Sequence, residues 1–416
     1  MKNLDRNSLL NFLDAQKDEA ARLLAQLIRF PSTQGQEAEI QEFLHERFRA
    51  LGLETELLPI SPSLKADPEY SFSDLDIDYD ERPNLVATLQ GTGGGRSVML
   101  NAHSDVVPAG QWPGAFEPEI KGDYVYGRGA CDDKGKIVVM YLALSGLKEF
   151  GLRPRGDIIA TAVIEEEVGG NGSLALIRGG LRADAVVVLE CTEFTLAPAH
   201  RGCLWFRAQV EGRATHLGKT REAISAIDEA TELIQILKNY EKKLIAQSKG
   251  HPLFPEPEEA VQLNIGMIAA GEWPSTVPSR CVLEGGVGFL PNKTLEQVKR
   301  ELKEAVQKEG NEWLREHFQI DFPKLHNDAY ETPADHPLVE TFGEAMQEAG
   351  LDPTPKGWIV SCDARLFSKL AGLPTIVFGP GRLIDCHSNE EKISIPDILK
   401  AAEVLTLFLL RWCGTE

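Results

Sequence analysis

The chain has 416 residues, more than one ordinary hydrophobic core accommodates, so two domains are expected. Apolar residues make up 43% and charged residues 25%, the balance of a globular enzyme. A formal net charge of −20 argues against nucleic acid as a partner, because phosphate binding needs a basic surface, and no apolar run has the roughly 18 residues of a membrane span.

Residues 8–51 carry helix formers with apolar positions at helical spacing. Leu23, Leu24, Leu27 and Ile28 share one face and Ile40, Phe43, Leu44 and Phe48 another, with Pro31-Ser32-Thr33 between two helices. The opening Met1-Lys2-Asn3-Leu4-Asp5-Arg6 lacks the apolar centre and cleavage site of a signal peptide. Residues 60–82 are acidic and proline-containing, and read as an exposed loop. Short apolar runs at 84–88, 97–100, 137–147, 158–164 and 185–189 then alternate with helical patterns, which predicts an α/β sheet with helices on its faces. From about residue 199 the style changes. Strands are expected at 203–210, 262–268 and 281–289, with long helices at 222–243 and 295–318, a smaller α+β layer. After about 328 the first style returns, with helices at 336–349, 363–370 and 395–413 and a strand at 375–378. The predicted organisation is therefore a discontinuous α/β domain, 1–198 and 328–416, interrupted by a smaller α+β domain, 199–327. The seven cysteines are scattered, odd in number and without paired spacing, which fits reduced thiols and a cytoplasmic location.

Chemistry-bearing residues gather where apolar runs end. His103 and Asp105 follow the run 97–100 two residues apart, so both leave a strand end on one face, as a metal-binding histidine and its acidic supporter would. The bland alternative is a loop histidine and aspartate. Gly127-Arg128-Gly129-Ala130-Cys131-Asp132-Asp133-Lys134-Gly135 offers a glycine-rich turn tipped with carboxylates, and lacks the phosphate-loop pattern. Glu165-Glu166-Glu167 follow the strand at 158–163; three adjacent carboxylates repel unless a cation or solvent absorbs the charge. Val186-Val187-Val188-Leu189 runs into Glu190, and His387 stands in Asp385-Cys386-His387-Ser388-Asn389-Glu390. A late histidine is more often structural than a ligand. Taken together, two histidines, a carboxylate able to bridge and two single carboxylates are the inventory of a two-metal hydrolytic site. Mixed nitrogen and oxygen donors favour zinc, with cobalt or manganese suited to the same donors. A spare glutamate beside a ligating one is a candidate general base. A cysteine nucleophile, Cys131 or Cys386, is the competing idea, but neither has a base at a readable spacing.

Five segments in order resemble those of the acetylornithine deacetylase / succinyl-diaminopimelate desuccinylase / aminoacylase family of dinuclear zinc amidohydrolases and metallopeptidases. They are His103-Ser104-Asp105-Val106-Val107-Pro108, Gly127 to Gly135, Glu166-Glu167-Val168-Gly169-Gly170, Glu190-Cys191-Thr192 and His387-Ser388-Asn389-Glu390-Glu391. The resemblance covers nearly the whole chain. It implies an exopeptidase-like catalytic domain with a central mixed sheet flanked by helices, interrupted by a lid that often dimerises. It implies that His103 and Glu190 hold one zinc ion, Glu167 and His387 the other, and that Asp132 bridges them. Asp105 would orient His103, and Glu166 would be the general base, the Glu-Glu-Val-Gly-Gly register choosing it over Glu165.

Arg213-Ala214-Thr215-His216-Leu217-Gly218 resembles the family segment whose histidine reaches a neighbouring site to stabilise the oxyanion, a role that lowers the barrier to amide hydrolysis; a solvated lid histidine is the plain alternative. Asn264 resembles a position near the substrate, and Arg280 and Arg365 are candidates for gripping a substrate carboxylate. Two departures stand out. Cys191 replaces the proline usual after the ligand glutamate, and the strand 284–291 lacks the Asp-x-Arg common there. The expected substrate is an N-acyl amino acid or related small N-acyl amine. A dipeptide, or an N-formyl heterocyclic amine, is the alternative, and a homodimer is the expected assembly. A non-enzymatic relative would be missing a ligand, and none is missing.

Overall fold

The computed structural model describes residues 4–73, 75 and 77–416. Met1, Lys2 and Asn3 of the opening segment, and Asp74 and Asp76 of the acidic 60–82 segment, lie outside the described residues. A six-stranded mixed sheet forms the frame, in the order Glu54–Leu58, Asn84–Leu89, Ile158–Val163, Val98–His103, Val186–Leu189, Thr375–Phe378. The last four are mutually parallel and the first two antiparallel to their neighbours. Ile158–Val163 and Val98–His103 are buried along their whole length. Burial on both faces explains why they read as unbroken apolar runs rather than alternating ones. The run 137–147 is helical, part of Gly135–Glu149, a helix buried nearly all round. With Ile395–Cys413 it covers one face of the sheet and joins the largest apolar core.

Three N-terminal helices stand where two were expected: Arg6–Ala15, Lys17–Ile28 and Ala38–Ala50. The added break falls at Gln16, with no glycine or proline to announce it. Packing sets it, because Leu9 and Leu13 before the break and Leu24 and Leu27 after it all reach the core. The 60–82 segment also departs from expectation. It contains a short 3₁₀ turn, Pro62–Ala66, and buries Ile60, Leu64, Tyr70, Tyr79 and Arg82.

A second, antiparallel sheet runs Leu263–Ala270, Arg280–Phe289, Gly202–Glu211, Phe318–Asp321, with His326–Asn327 also paired to Gly202–Glu211. Helices Ala226–Ser248 and Leu295–Glu309 bury their apolar faces against it in a core of their own. Thr294 opens the second helix with a capping box to Gln297. The expected helix 295–318 ends early, at Gly310, where a Cβ would lie 2.7 Å from the Val306 carbonyl. Asn311 then caps a separate short helix, Glu312–Glu316, and Phe318 begins a strand. Gly310 and Asn311 are the stop and start signals that helical periodicity alone overlooks.

His200, at the end of the short strand Ala199–His200, is fully buried. Its Nδ1 lies 2.7 Å from the Arg201 carbonyl, and its Nε2 accepts the Cys362 amide at 3.4 Å, the pattern of a neutral ring. Burial holds its pKa down at about 4, against 6.5 for a free imidazole. Between those values the unfolded chain binds a proton that the folded chain refuses, so stability falls as pH drops from about 6.5 toward 4. Replacing His200 with Asn is expected to remove on the order of 2–3 kcal/mol of that acid sensitivity, measured as the difference in denaturant midpoint between pH 7 and pH 4.5.

Candidate metal centre

Parallel strands that start together also end together, and loops beyond their carboxyl ends converge. His103 is the last residue of the central strand Val98–His103, Glu165 to Glu167 follow Ile158–Val163, and Glu190 follows Val186–Leu189. His387 arrives from the loop after Thr375–Phe378. Asp132 is supplied by the turn that leads into helix Gly135–Glu149.

Asp132 sits at the centre. Its Oδ1 lies 3.0 Å from His103 Nε2 and its Oδ2 lies 3.2 Å from His387 Nε2. His387 Nε2 also lies 3.1 Å from Glu167 Oε2. Two donor groups emerge, His103 with Asp132, Asp133 and Glu190, and Asp132 with Glu167 and His387; Asp132 is the member they share. Burial opposes ionisation of Asp132, yet hydrogen bonds from His103 and His387 hold its carboxyl well below the usual range. Burial pushes Glu166, Glu167 and Glu190 up, and neighbouring carboxylates add to the effect: Asp363 and Glu190 on Glu166, Asp132 on Glu167, and Asp133 and Asp132 on Glu190. The contacts of Asp132 and Glu167 raise His387 to about 10. So much negative charge packed around two imidazoles suits divalent cations, and the mixed nitrogen and oxygen donors fit zinc.

The supporting residues divide the work. His103 Nδ1 lies 3.0 Å from the backbone carbonyl of Asp105 and 3.5 Å from its carboxylate, which leaves Nε2 facing the centre. The Asp105 carboxylate is committed elsewhere: it accepts the amides of Glu166 and Glu167, each at 3.1 Å. Asp105 thus positions both the histidine and the glutamate turn. Glu165, at φ 58°, points away from Asp132 into a buried polar pocket. There it accepts hydrogen bonds from Tyr79 (2.7 Å), Arg82 (2.8 Å) and Asn171 (2.9 Å), while Arg82 also pairs with buried Glu37 at 2.7 Å. That geometry leaves Glu166 and Glu167 facing the centre.

Several contributors carry no readable sequence signal. Glu391 accepts the amides of Cys131 and Asp132, at 2.9 and 3.0 Å, and pairs with Arg128 at 2.7 Å, pinning the Asp132 turn. Its neighbour Glu390 is exposed, and nothing in the sequence separates the two. Asp133 joins the His103 group, with its Oδ2 3.3 Å from the His103 amide. Asp363, which accepts the Ser173 hydroxyl at 2.6 Å, bears on Glu166.

The centre opens into a cavity of about 380 Å³ walled by Glu166, Cys191, Arg201, Asn327 and Trp358. Among the described residues lining it, Arg201 is the one arginine or lysine. The other residues named from sequence lie apart. Arg365 is buried and bound to Glu69 and the Gly169 carbonyl. Arg280 is exposed and bound to Gln209. Asn264 lines an adjoining cavity that shares Arg201, Cys203 and Trp205. His216 is exposed beside Leu217, and its Nδ1 accepts the Gly218 amide at 3.1 Å.

Residues 99–411 match the model of peptidase family M20/M25/M40. The chain is 25% identical to an N-formyl-4-amino-5-aminomethyl-2-methylpyrimidine deformylase of Halalkalibacterium halodurans, over 97% of each chain. It is 27% identical to an acetylornithine deacetylase of Myxococcus xanthus, over 80% of this chain and 85% of the other. Its fold is similar to that of a tripeptidase from Staphylococcus aureus, with a TM-score of 0.75 and 21% identity over 95% of this chain and 98% of the other.

Proposed function

Because this chain belongs to peptidase family M20/M25/M40, whose members are metal-dependent hydrolases, we propose that the Asp132 cluster hydrolyses the amide bond of an N-acyl amino acid or related small N-acyl amine. The observation that carries this reading is the placement of Asp132, whose two oxygens face two separate histidines. In this proposal His103 and Glu190 would hold one zinc ion and Glu167 and His387 the other, with Asp132 common to both donor groups. The ions supply Lewis-acid polarisation of the carbonyl and acidification of a water. Glu166, beside the centre and lining the cavity, takes a proton from the attacking water on its carboxylate and returns it to the departing amine nitrogen. Asp105 holds the Glu166 backbone in place through the amide it accepts.

The deformylase and deacetylase relatives favour removal of a small acyl group. The tripeptidase neighbour supports a second reading, cleavage of a short peptide at the same site. Arg201 is the proposed anchor for a substrate carboxylate, in place of Arg280 or Arg365, because it is the one arginine or lysine among the described residues lining the cavity. A homodimer is proposed through the strand Leu263–Ala270, at the edge of its sheet, where Met267 is 65% and Ile268 57% exposed. His216 pairs with Thr276 and Leu217 donates to Ser275, in the loop that carries Trp273, itself 70% exposed, and His216 does not line the cavity beside Asp132; its proposed role is therefore at a neighbouring site in the dimer. The free thiols support a cytoplasmic location.

Glu166→Gln is expected to keep its metal, by elemental analysis, while kcat falls about 10²- to 10⁴-fold; full turnover would end the base assignment, and fewer than one metal per chain would count against two ions. Arg201→Met should raise KM for carboxylate-bearing N-acetyl, N-formyl or N-succinyl substrates about 10- to 100-fold with little change in kcat. Running dipeptides in the same panel separates deacylase from peptidase. Sedimentation equilibrium is expected to return the mass of two chains, and a monomer at micromolar concentration would exclude the paired edge.

A further inference from the structure

Three cysteines converge beside the hydrolytic cluster and take no part in it. Cys131 comes from the turn before helix Gly135–Glu149, Cys191 from the segment after strand Val186–Leu189, and Cys386 from the turn before His387. Their sulfurs all lie within 4.8 Å of one another. Cys191 Sγ is 3.0 Å from Cys386 Sγ, which is 3.7 Å from Cys131 Sγ. The Arg382 carbonyl lies 3.7 Å from the Cys131 sulfur and 3.6 Å from that of Cys386. Gly381, at φ +95°, closes the wall of this group. A Cβ there would stand 2.5 Å from Cys131 Sγ, so the backbone can come this close to the sulfurs only as glycine. A cation is also at hand: Lys136 is fully buried, its ammonium bonds the Cys131 carbonyl, and it lies within electrostatic range of all three sulfurs.

We propose that Cys131, Cys191 and Cys386 form a further metal site, which takes a soft monovalent cation, copper(I), in trigonal thiolate coordination. Metal–sulfur bonds of about 2.3 Å place three sulfurs about 4 Å apart around one ion, a spacing that small side-chain rotations reach from the one observed. Thiolates select copper(I), whereas the carboxylates and imidazoles next door suit harder dications. Two classes of ion are thereby sorted within a few residues. Binding forms three copper–sulfur bonds and releases three thiol protons to solvent, with no electron transferred. The product carries two negative charges and lies beside the Lys136 ammonium, which also pairs with Asp133 at 3.3 Å. Cys191 and Cys386 line the cavity, which gives the ion a path from solvent. Each cysteine is peptide-bonded to a residue of the hydrolytic cluster: Cys131 to Asp132, Cys191 to Glu190 and Cys386 to His387. The proposal does not depend on which amide is cleaved.

The test is anaerobic titration of the reduced full-length chain with copper(I), against a chromophoric copper(I) chelator, while the ultraviolet thiolate-to-copper charge-transfer band is followed. About one tightly held copper per chain is expected. The band should be lost in Cys191→Ser and in Cys386→Ser, and kept in Cys281→Ser, whose thiol lies in the second core. In the unmutated protein, copper should protect Cys386, the partly exposed member of the group, from alkylation, read from its peptide in the mass spectrum, so the outcome stands even if a variant folds poorly. A band that survives both substitutions, or protection of other cysteines, overturns the proposal. So does a Cys191–Cys386 disulfide in the isolated protein that, once reduced, takes up no copper.

Discussion

Carboxylates crowd where the parallel strands end, and their mutual repulsion is the constraint the surrounding structure answers. An acidic group taken out of water is costly unless a charge or several donors meet it. Several of these carboxylates are met by donors outside the centre. Glu165 and Glu37 share the Arg82 guanidinium, reinforced by Tyr79 and Asn171. Asp105 is satisfied by two backbone amides and Glu391 by two amides and Arg128. Among the described residues, Asp132, Glu167 and Glu190 have no such hydrogen-bonded cation or amide cradle, and the counter-charge beside them is that of two imidazoles; in the proposed reading metal ions would supply the rest, and the choice of ligands would follow from which acids have been neutralised elsewhere.

This explains how much could be read in advance. Five strands of the six-stranded sheet were legible because they are apolar runs, and strand Thr375–Phe378 and helix Ile395–Cys413 coincide with the expected elements, whereas the partly exposed edge strand Glu54–Leu58 was not expected. Segments bearing acids and histidines were legible because they sit at the ends of those runs. Partner choice was not. The three adjacent glutamates differ only in backbone direction, and the left-handed turn at Glu165 depends on Arg82, a residue in a stretch that reads as a solvated loop. Glu391 and Arg201 escaped notice for the same reason. Each acts through a contact to a distant segment, which neither periodicity nor local spacing encodes. The breaks at Gln16 and Gly310 were hidden differently: one comes from packing on both sides, the other from a single close approach to a carbonyl.

The second sheet bears on chemistry through its inner strand. Arg201 precedes Gly202–Glu211, and Cys203 and Trp205 on that strand line both the metal-facing cavity and the adjoining one. Any rocking of this sheet against the six-stranded one moves Arg201 relative to Asp132. In the proposed reading, substrate fit and access would therefore be tied to the same strand.

The order of the chain adds one more consequence. Thr375–Phe378 pairs with Val186–Leu189, and His387 follows it, although nearly two hundred residues separate the two strands. During synthesis His103, Asp132, Glu167 and Glu190 emerge early, while the histidine opposite Glu167 and the edge strand that shields Leu189 are among the last parts made. For nearly half of translation the nascent chain holds an acidic, half-built cluster beside an unpaired apolar strand. That intermediate is exposed to wrong pairing and to stray cations, and the burden of protecting it falls on the ribosome-bound state rather than on the finished enzyme.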